Sequence, residues 1–368
     1  MLSLDFQQGC THMDRPTADR DTTELKLVSI VLPAFNEAAI LRPNLQAVRS
    51  YLEAHSDEFR WEMVIVNDGS SDETGQIAED FAAGLGNVRV LHHKRNYGLG
   101  QALRYGISRT RGDYVVTLDI DLSYSPEHIT SLLDALKDTH AKLVLASPYM
   151  KGGRISNVPW LRRVLSVGAN WFLSLVAHGN LSTLTCMVRG YDGVFARELV
   201  LRSTGMDIMP ETIYKTMILR AGIEQIPAHL DWGLQVKQTK RKSSMRILRH
   251  MLSTVLSGFV FRPFMFFILP GLVLLSFAAW VNLWMVIHFF ESFQRVPADL
   301  ATDRISWAIA EAYASYPHTF IVGLLSLMLS IQLISLGILA LQSKSYFEEI
   351  YFLGASQFPP RPKTGSDD

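Results

Sequence analysis

Two stretches of this 368-residue chain, Phe264–Phe290 and Thr319–Ser343, contain no Asp, Glu, Lys or Arg. Each exceeds the roughly 20 residues that a helix needs to cross about 30 Å of hydrocarbon. One such run could be the core helix of a large soluble domain. Two in succession, separated by a polar connection, predict a transmembrane hairpin with helices over 264–290 and 319–343. The hairpin also explains why 48% of the chain is hydrophobic, which is high for a soluble protein.

Basic residues orient the hairpin. Lys240, Arg241, Lys242, Arg246, Arg249 and Arg262 precede the first span, and Lys344, Arg361 and Lys363 follow the second. The connection, 291–318, sets Arg295 and Arg304 against Glu291, Asp299, Asp303 and Glu311. Both ends are therefore expected in the cytosol, with 291–318 an extracytosolic loop and 344–368 a cytosolic tail. The chain is thus expected to be a multi-pass protein of the cytoplasmic (inner) membrane. Over 244–263, Leu248, Met251, Leu252, Val255, Leu256 and Phe259 recur at helical spacing among arginines. This predicts an amphipathic interfacial helix in the headgroup plane, or else one packed on the soluble domain. Residues 1–24 are polar, with no apolar run after a basic start, so they read as a disordered tail rather than a secretory signal; Met13 could serve as the start.

The charge balance, 35 Lys+Arg against 35 Asp+Glu, gives no basic surplus for nucleic acid. Cys10 and Cys186 stand far apart without ligand-spaced partners, so neither a disulfide framework nor a zinc site is expected.

From Leu25 onward short apolar runs alternate with helical stretches. Strands are predicted at Leu27–Leu32, Met63–Val66, Val88–Leu91, Tyr114–Leu118 and Leu143–Ala146, apolar on both faces as in a buried parallel sheet. Helices should begin near Glu37, Thr74, Leu99 and Pro126, the last capped by Ser125 with proline in the first turn. This alternation predicts a doubly wound α/β domain over 25–243, binding ligands at the carboxyl ends of its strands.

Four segments follow those strand ends. In Leu32–Glu37, Pro33 should end the strand, Phe35 offers a ring face and Glu37 can accept hydrogen bonds from a base or ribose. In Val66–Asp72, Asp68 ends an apolar strand, Gly69 permits a tight turn and Ser71 or Asp72 can cap the next helix. In Arg95–Ala102, Gly98 and Gly100 would let backbone approach a diphosphate at a helix N-terminus. In Thr117–Ser123, Asp119 and Asp121 flank Ile120. In extended backbone both carboxylates project the same way, and like charges so close favour a cation between them. Mg2+ or Mn2+, shared with diphosphate oxygens, meets that need.

Taken together, these segments resemble glycosyltransferase family 2, over roughly Leu27 to Trp232, and the resemblance implies the glycosyltransferase-A fold. The two C-terminal helices make the chain similar to the subgroup that transfers sugars to polyprenyl phosphates. In that subgroup the positions matching Pro33, Phe35, Glu37, Val66 and Asp68 hold the nucleotide. Those matching Asp119 and Asp121 face the diphosphate and metal, and the one matching Ser123 lies beside the metal. The resemblance therefore implies a metal-dependent glycosyltransferase with Asp121 and Asp119 catalytic, a donor site that also includes Gly98 and Ile120, and metal ligation by Asp121, Asp119 and Ser123.

Ala146–Gly153 is similar to the family's Gly-Ser-Arg-Tyr-x-x-Gly-Gly but has Pro148 where arginine is usual. Lys151, Arg154, Arg162 or Arg163 are the cations available instead. Thr185–Tyr191 resembles the family's Thr-Ser-Gly-Phe-Arg-x-Tyr, which implies phosphate binding by Arg189. Lys240–Ser244 stands where the family has a basic loop closing over phosphates, which brings Arg241 and Ser244 into the acceptor site.

The expected reaction is inverting transfer of a sugar from a nucleoside-diphosphate sugar to a polyprenyl phosphate on the cytosolic leaflet, making a cell-envelope glycolipid. Two alternatives stay open. One is transfer to a lipid hydroxyl of diacylglycerol or ceramide type, for which Glu211 is the candidate base; as a first-turn glutamate it also suits the helix dipole. The other is a non-catalytic nucleotide-sugar-binding membrane protein. A processive polysaccharide synthase is disfavoured because no Gln-x-x-Arg-Trp segment occurs. The sugar, the base and the oligomeric state, a homo-oligomer among the options, are not fixed by these residues.

Overall fold

The structure, a computed structural model, describes residues 25–157, 181–231, 233, 263–297 and 303–356. The expected tail 1–24, Arg162, Arg163, Arg241, Ser244 and the expected interfacial helix up to residue 262 lie outside the described residues.

Seven strands form the central sheet in the order β3-β2-β1-β4-β7-β5-β8. They are β1 (Leu27–Ala34), β2 (Arg60–Asn67), β3 (Val88–His92), β4 (Tyr114–Thr117), β5 (Leu143–Ser147), β7 (Arg189–Asp192) and β8 (Ile223–Pro227). A second sheet pairs β6 (Arg154–Ser156) in parallel with β9 (His229–Asp231). The five strands expected from apolar runs are all present. The sheet is mixed rather than wholly parallel, because β7 enters antiparallel between β4 and β5. A four-residue strand containing Arg189 and Asp192 carries too little apolar pattern to be recognised in sequence.

Strand residues alternate between two cores, as side chains must in an extended chain. Ile30, Leu32, Met63 and Ile65 pack under α1 (Ala38–Ala54), α2 (Thr74–Ala82) and α4 (His128–Thr139). Val31, Val64, Val66 and Val115 pack under α3 (Leu99–Ser108), α5 (Gly193–Glu198) and α6 (Ile208–Ile218). Burial on both sides is why these strands read as continuous apolar runs.

Two local expectations shift. Pro33 does not end β1, which continues to Ala34. Its register with β4 stops at Val31, where Leu118 N–H donates to Val31 C=O at 3.1 Å, so the proline ring sits where no N–H is needed on that side. The helix expected at Pro126 starts at His128, because Ser125 and Pro126 form a turn whose carbonyls accept from His128 and Ile129 N–H.

Beyond the α/β domain lie α7 (Pro263–Gln294), α8 (Arg304–Ser315) and α9 (Pro317–Ser356). Phe266–Gln294 and Pro317–Gly354 are long and apolar enough to cross a membrane, and only 17% of the most apolar window of each is buried. A core helix of a soluble domain would be mostly buried. The pair packs closely through small residues, as in membrane helix pairs: a Cβ on Gly337 would meet Ile268 at 2.4 Å, and one on Gly271 would meet Ile334 at 2.9 Å. Both helices outrun their charge-free stretches. The expected loop 291–318 holds α8, whose Ala308 and Ala312 are buried, and the expected tail begins as helix to Ser356.

Candidate active site

The register aligns Ala34 with Asn67 and Asn67 with His92, so the chain leaves β1, β2 and β3 at one edge of the sheet, beside the end of β4. The four sequence segments meet there.

The first two loops interlock through hydrogen bonds between backbone N–H groups and side chains. Asn36 takes the left-handed region at φ 54°, which Asn tolerates better than most residues. Its N–H donates to Ser70 Oγ at 3.0 Å, and its Oδ1 accepts Ser71 N–H at 2.9 Å. Asp72 caps two helices at once, accepting from Thr74 N–H (3.0 Å) and Ala38 N–H (3.2 Å). Glu37 N–H donates to Thr74 Oγ1 at 2.9 Å. Phe35 is left 42% exposed above this brace, with its ring available for stacking. Val66, by contrast, points its side chain into the core against Gly106, so only its backbone reaches the edge.

Asp68 does something its sequence position did not disclose. Buried to 3% exposure, it accepts Tyr97 N–H (3.0 Å) and His93 Nδ1 (2.7 Å) on one oxygen and Gly98 N–H (2.9 Å) on the other. The aspartate at the end of β2 therefore builds the glycine turn that follows β3. Gly69, at φ 65°, permits this: a Cβ there would lie 2.1 Å from the Arg95 carbonyl carbon.

Gly98 is corrected too. It adopts φ 94°, and its open face is filled by the chain itself, since a Cβ would meet Thr204 C=O at 2.5 Å. Gly100 N–H donates to that carbonyl at 2.7 Å. The expected diphosphate cradle at the start of α3 is thus closed by the Ser203–Gly205 backbone.

The acidic pair sits on a turn, not in extended backbone. β4 ends at Thr117, Leu122 N–H donates to Asp119 C=O at 3.2 Å, and Leu122 has φ 50°. Asn44 of α1 pins the turn by donating to Ile120 C=O at 2.7 Å. Asp121 accepts Ser123 N–H at 2.9 Å, and buried Ser123 accepts Asp231 N–H at 2.9 Å through its carbonyl. Burial, and then the charge of Asp121, push the Asp119 carboxyl up to about 8. Cys186 and Tyr124 lie within its electrostatic reach, and burial pushes the Cys186 thiol up to about 11.

A divalent cation fits this pair. A positive ion between the carboxylates would stabilise the ionised state that burial and repulsion oppose. Among the described residues no three His, Cys, Asp or Glu side chains converge as a metal site. Two carboxylates suit an ion that takes its remaining ligands from water and phosphate oxygens.

The acceptor-side expectations divide. Lys151 and Arg154 are exposed. Arg154 opens β6, whose partner β9 is tied to Ser123 through Asp231, so both cations lie on the structure flanking the acidic turn. Arg189 is a correction. It is fully buried, and its guanidinium donates to the carbonyls of Cys186 (2.7 Å), Met209 (2.8 Å) and Leu184 (3.0 Å). It ties the segment before β7 to α6 and faces no cleft. Glu211 is likewise occupied, accepting Arg202 N–H (2.9 Å), Ser203 N–H (2.8 Å) and the Lys215 ammonium. Burial raises its pKa, but Lys215 and these donors outweigh it and hold the carboxyl below the ordinary range.

Asn36, Asn44, His93 and Thr204 are the supporting residues that sequence reasoning missed. Only Asn36 carried a signal, as an Asn just beyond a strand end.

Residues 29–194 match the model of the family described as Glycosyl transferase family 2. Dolichol-phosphate mannosyltransferase of Pyrococcus furiosus is 28% identical over 233 residues, 61% of this chain and 62% of that one. Polyprenol monophosphomannose synthase of Mycolicibacterium smegmatis is 33% identical over 166 residues, 44% of this chain and 60% of that one. Glucosyl-3-phosphoglycerate synthase from Mycobacterium tuberculosis, solved with Mn2+, uridine diphosphate and phosphoglyceric acid, aligns with a TM-score of 0.47 at 20% identity, over 63% of this chain and 78% of that one. The chain spans about three fifths of the length of the two curated relatives.

Proposed function

We propose, from the match of residues 29–194 to the family described as Glycosyl transferase family 2, that this chain transfers a sugar from a nucleoside-diphosphate sugar to a polyprenyl phosphate at the cytosolic face of a membrane. The observation that carries the reading is the acidic turn Asp119–Asp121, set at the sheet edge beside exposed Phe35 and half-buried Glu37. The chain's likeness to enzymes named for dolichol and polyprenol phosphates, and its two membrane-length helices, support the lipid acceptor.

In this reading Phe35 stacks on the base, and Glu37 accepts from the base or ribose, over a floor formed by Pro33, Val66 backbone and Ile120. Asp119 and Asp121, beside Ser123, hold Mg2+ or Mn2+, which when bound supplies positive charge to the departing diphosphate. Lys151 and Arg154 align the acceptor phosphate, with Arg241 and Ser244 as further candidates. An acceptor phosphate oxygen attacks the anomeric carbon opposite the leaving group. The carbon–oxygen bond to the nucleoside diphosphate breaks, the diphosphate leaves with the electron pair, and the anomeric centre inverts. A phosphate's second pKa is about 6, so the nucleophile is already anionic and needs no strong base; positioning and charge stabilisation supply the catalysis. That agrees with the state of Glu211, whose lowered pKa and three donors suit it poorly to deprotonate a lipid hydroxyl.

The test is incubation of membranes containing the chain with a panel of sugar nucleotides and, in parallel, polyprenyl phosphate, diacylglycerol or ceramide, with products identified by mass spectrometry. The expected product is a polyprenyl phosphate carrying one sugar. A sugar found only on the hydroxyl lipids, or no product from any donor, overturns the reading.

A further inference from the structure

The second membrane helix does not stop where its apolar stretch stops. After Ser343, α9 runs another 13 residues to Ser356, about 20 Å at 1.5 Å per residue. This extension rests on the α/β domain. Tyr214 Oη donates to Glu348 Oε1 at 3.0 Å, and the Phe347 ring stacks on Tyr214 at 6.5 Å and 8°. The Lys215 ammonium lies 5.1 Å from the centre of the Tyr351 ring, and that of Lys344 lies 5.7 Å from the Tyr214 ring.

From α6 the contacts continue inward without a gap. Lys215 is 4% exposed; its ammonium donates to Val200 C=O at 2.6 Å and to Glu211. Glu211 accepts the N–H groups of Arg202 and Ser203, which fixes the path of the next residues. Thr204 C=O accepts Gly100 N–H and fills the face of Gly98. Gly98 N–H in turn donates to Asp68, whose own N–H donates to the C=O of Ala34, next to Phe35. A buried ammonium requires partners on every side, and among the described residues the membrane helix supplies one of them, the Tyr351 face.

We propose that the end of α9 is a positioning arm: Glu348, Phe347 and Tyr351 hold α6 through Tyr214 and Lys215, and α6 holds the 202–205 loop and the glycine turn against the donor site. The membrane hairpin then orders the nucleotide loops as well as anchoring the domain. Tyr214, Lys215 and Glu211 act through other residues and touch no substrate. The kinetic consequence rests on the proposed transferase function, whereas the ordering of the loops does not.

The test uses the full chain in lipid nanodiscs, comparing wild type with Glu348→Ala, Glu348→Gln, Tyr214→Phe and Tyr351→Ala. Amide exchange is followed in peptides covering 95–101 and 200–206. Glu348→Ala and Tyr351→Ala are expected to speed exchange in both peptides about tenfold and to raise donor KM several-fold, with kcat within about twofold. Tyr214→Phe, which keeps the ring, should show a smaller effect, and Glu348→Gln, which keeps an acceptor, should restore wild-type behaviour. Faster exchange confined to 344–356, with 95–101 and 200–206 unchanged, overturns the proposal. Absence of turnover in wild type would count against the transferase reading, while exchange still decides this one.

Discussion

Gly98 donates its backbone N–H to the Asp68 carboxylate at 2.9 Å, joining the end of β2 to the turn that opens α3. The same carboxylate takes Tyr97 N–H and the His93 ring. One acid thus sets the course of a loop some 30 residues further along the chain. Its contribution to the proposed donor site would be made through backbone placement.

Asp68→Asn should therefore act on structure first. An amide can accept on one atom but presents N–H groups to the donors on the other. Hydrogen bonds to a charged group are worth about 1.5–3 kcal/mol each, so a loss of roughly 2–3 kcal/mol is expected. A fall in thermal midpoint should accompany weaker donor binding. Unchanged stability with lost binding would mean that Asp68 contacts the ligand directly.

Glu211 gives a pH signature. Its carboxyl is held below the ordinary range, so the stabilisation it provides is complete above the unfolded pKa of about 4.3 and is lost as pH falls through the lower folded value. Glu211→Gln should lower the thermal midpoint at pH 7 and flatten the acid limb of a midpoint-against-pH profile. Parallel profiles for both proteins would contradict the network built on Lys215.

Phe35→Ala separates site from scaffold. The ring is 42% exposed, so its removal should change stability by no more than about 0.5 kcal/mol. If the ring carries a base, the change should raise donor KM about 5- to 150-fold, since stacking is worth about 1–3 kcal/mol. Steady-state kinetics beside a melting curve reads both. A stability loss with unchanged KM would place Phe35 in the scaffold.

How far the sequence disclosed this arrangement follows from the physics of each signal. Strands buried on both faces leave unbroken apolar runs, and membrane-length helices leave charge-free ones, so β1 to β5 and the hairpin were legible. The antiparallel β7 was not, because its burial depends on neighbours distant in sequence. Side-chain direction was the other gap. The family resemblance of Thr185–Tyr191 implies a phosphate ligand at Arg189, yet its side chain is fully buried on three carbonyls. Glycines at Gly98 and Gly100 announce a close approach, but not whether a diphosphate or the chain's own Thr204 makes it. The acidic turn was found from its spacing, although the geometry that pairs its charges is a turn pinned by Asn44, not a strand.

The most direct measurement is calorimetric titration of the full chain with each of a panel of nucleoside-diphosphate sugars, with and without Mg2+ or Mn2+, for wild type and Asp121→Ala. If Asp119 and Asp121 hold a cation against the diphosphate, wild-type affinity should rise about tenfold or more when the ion is supplied, and Asp121→Ala should lose that dependence together with turnover. Equal affinity in chelator and in metal, with Asp121→Ala turning over like wild type, would contradict the account.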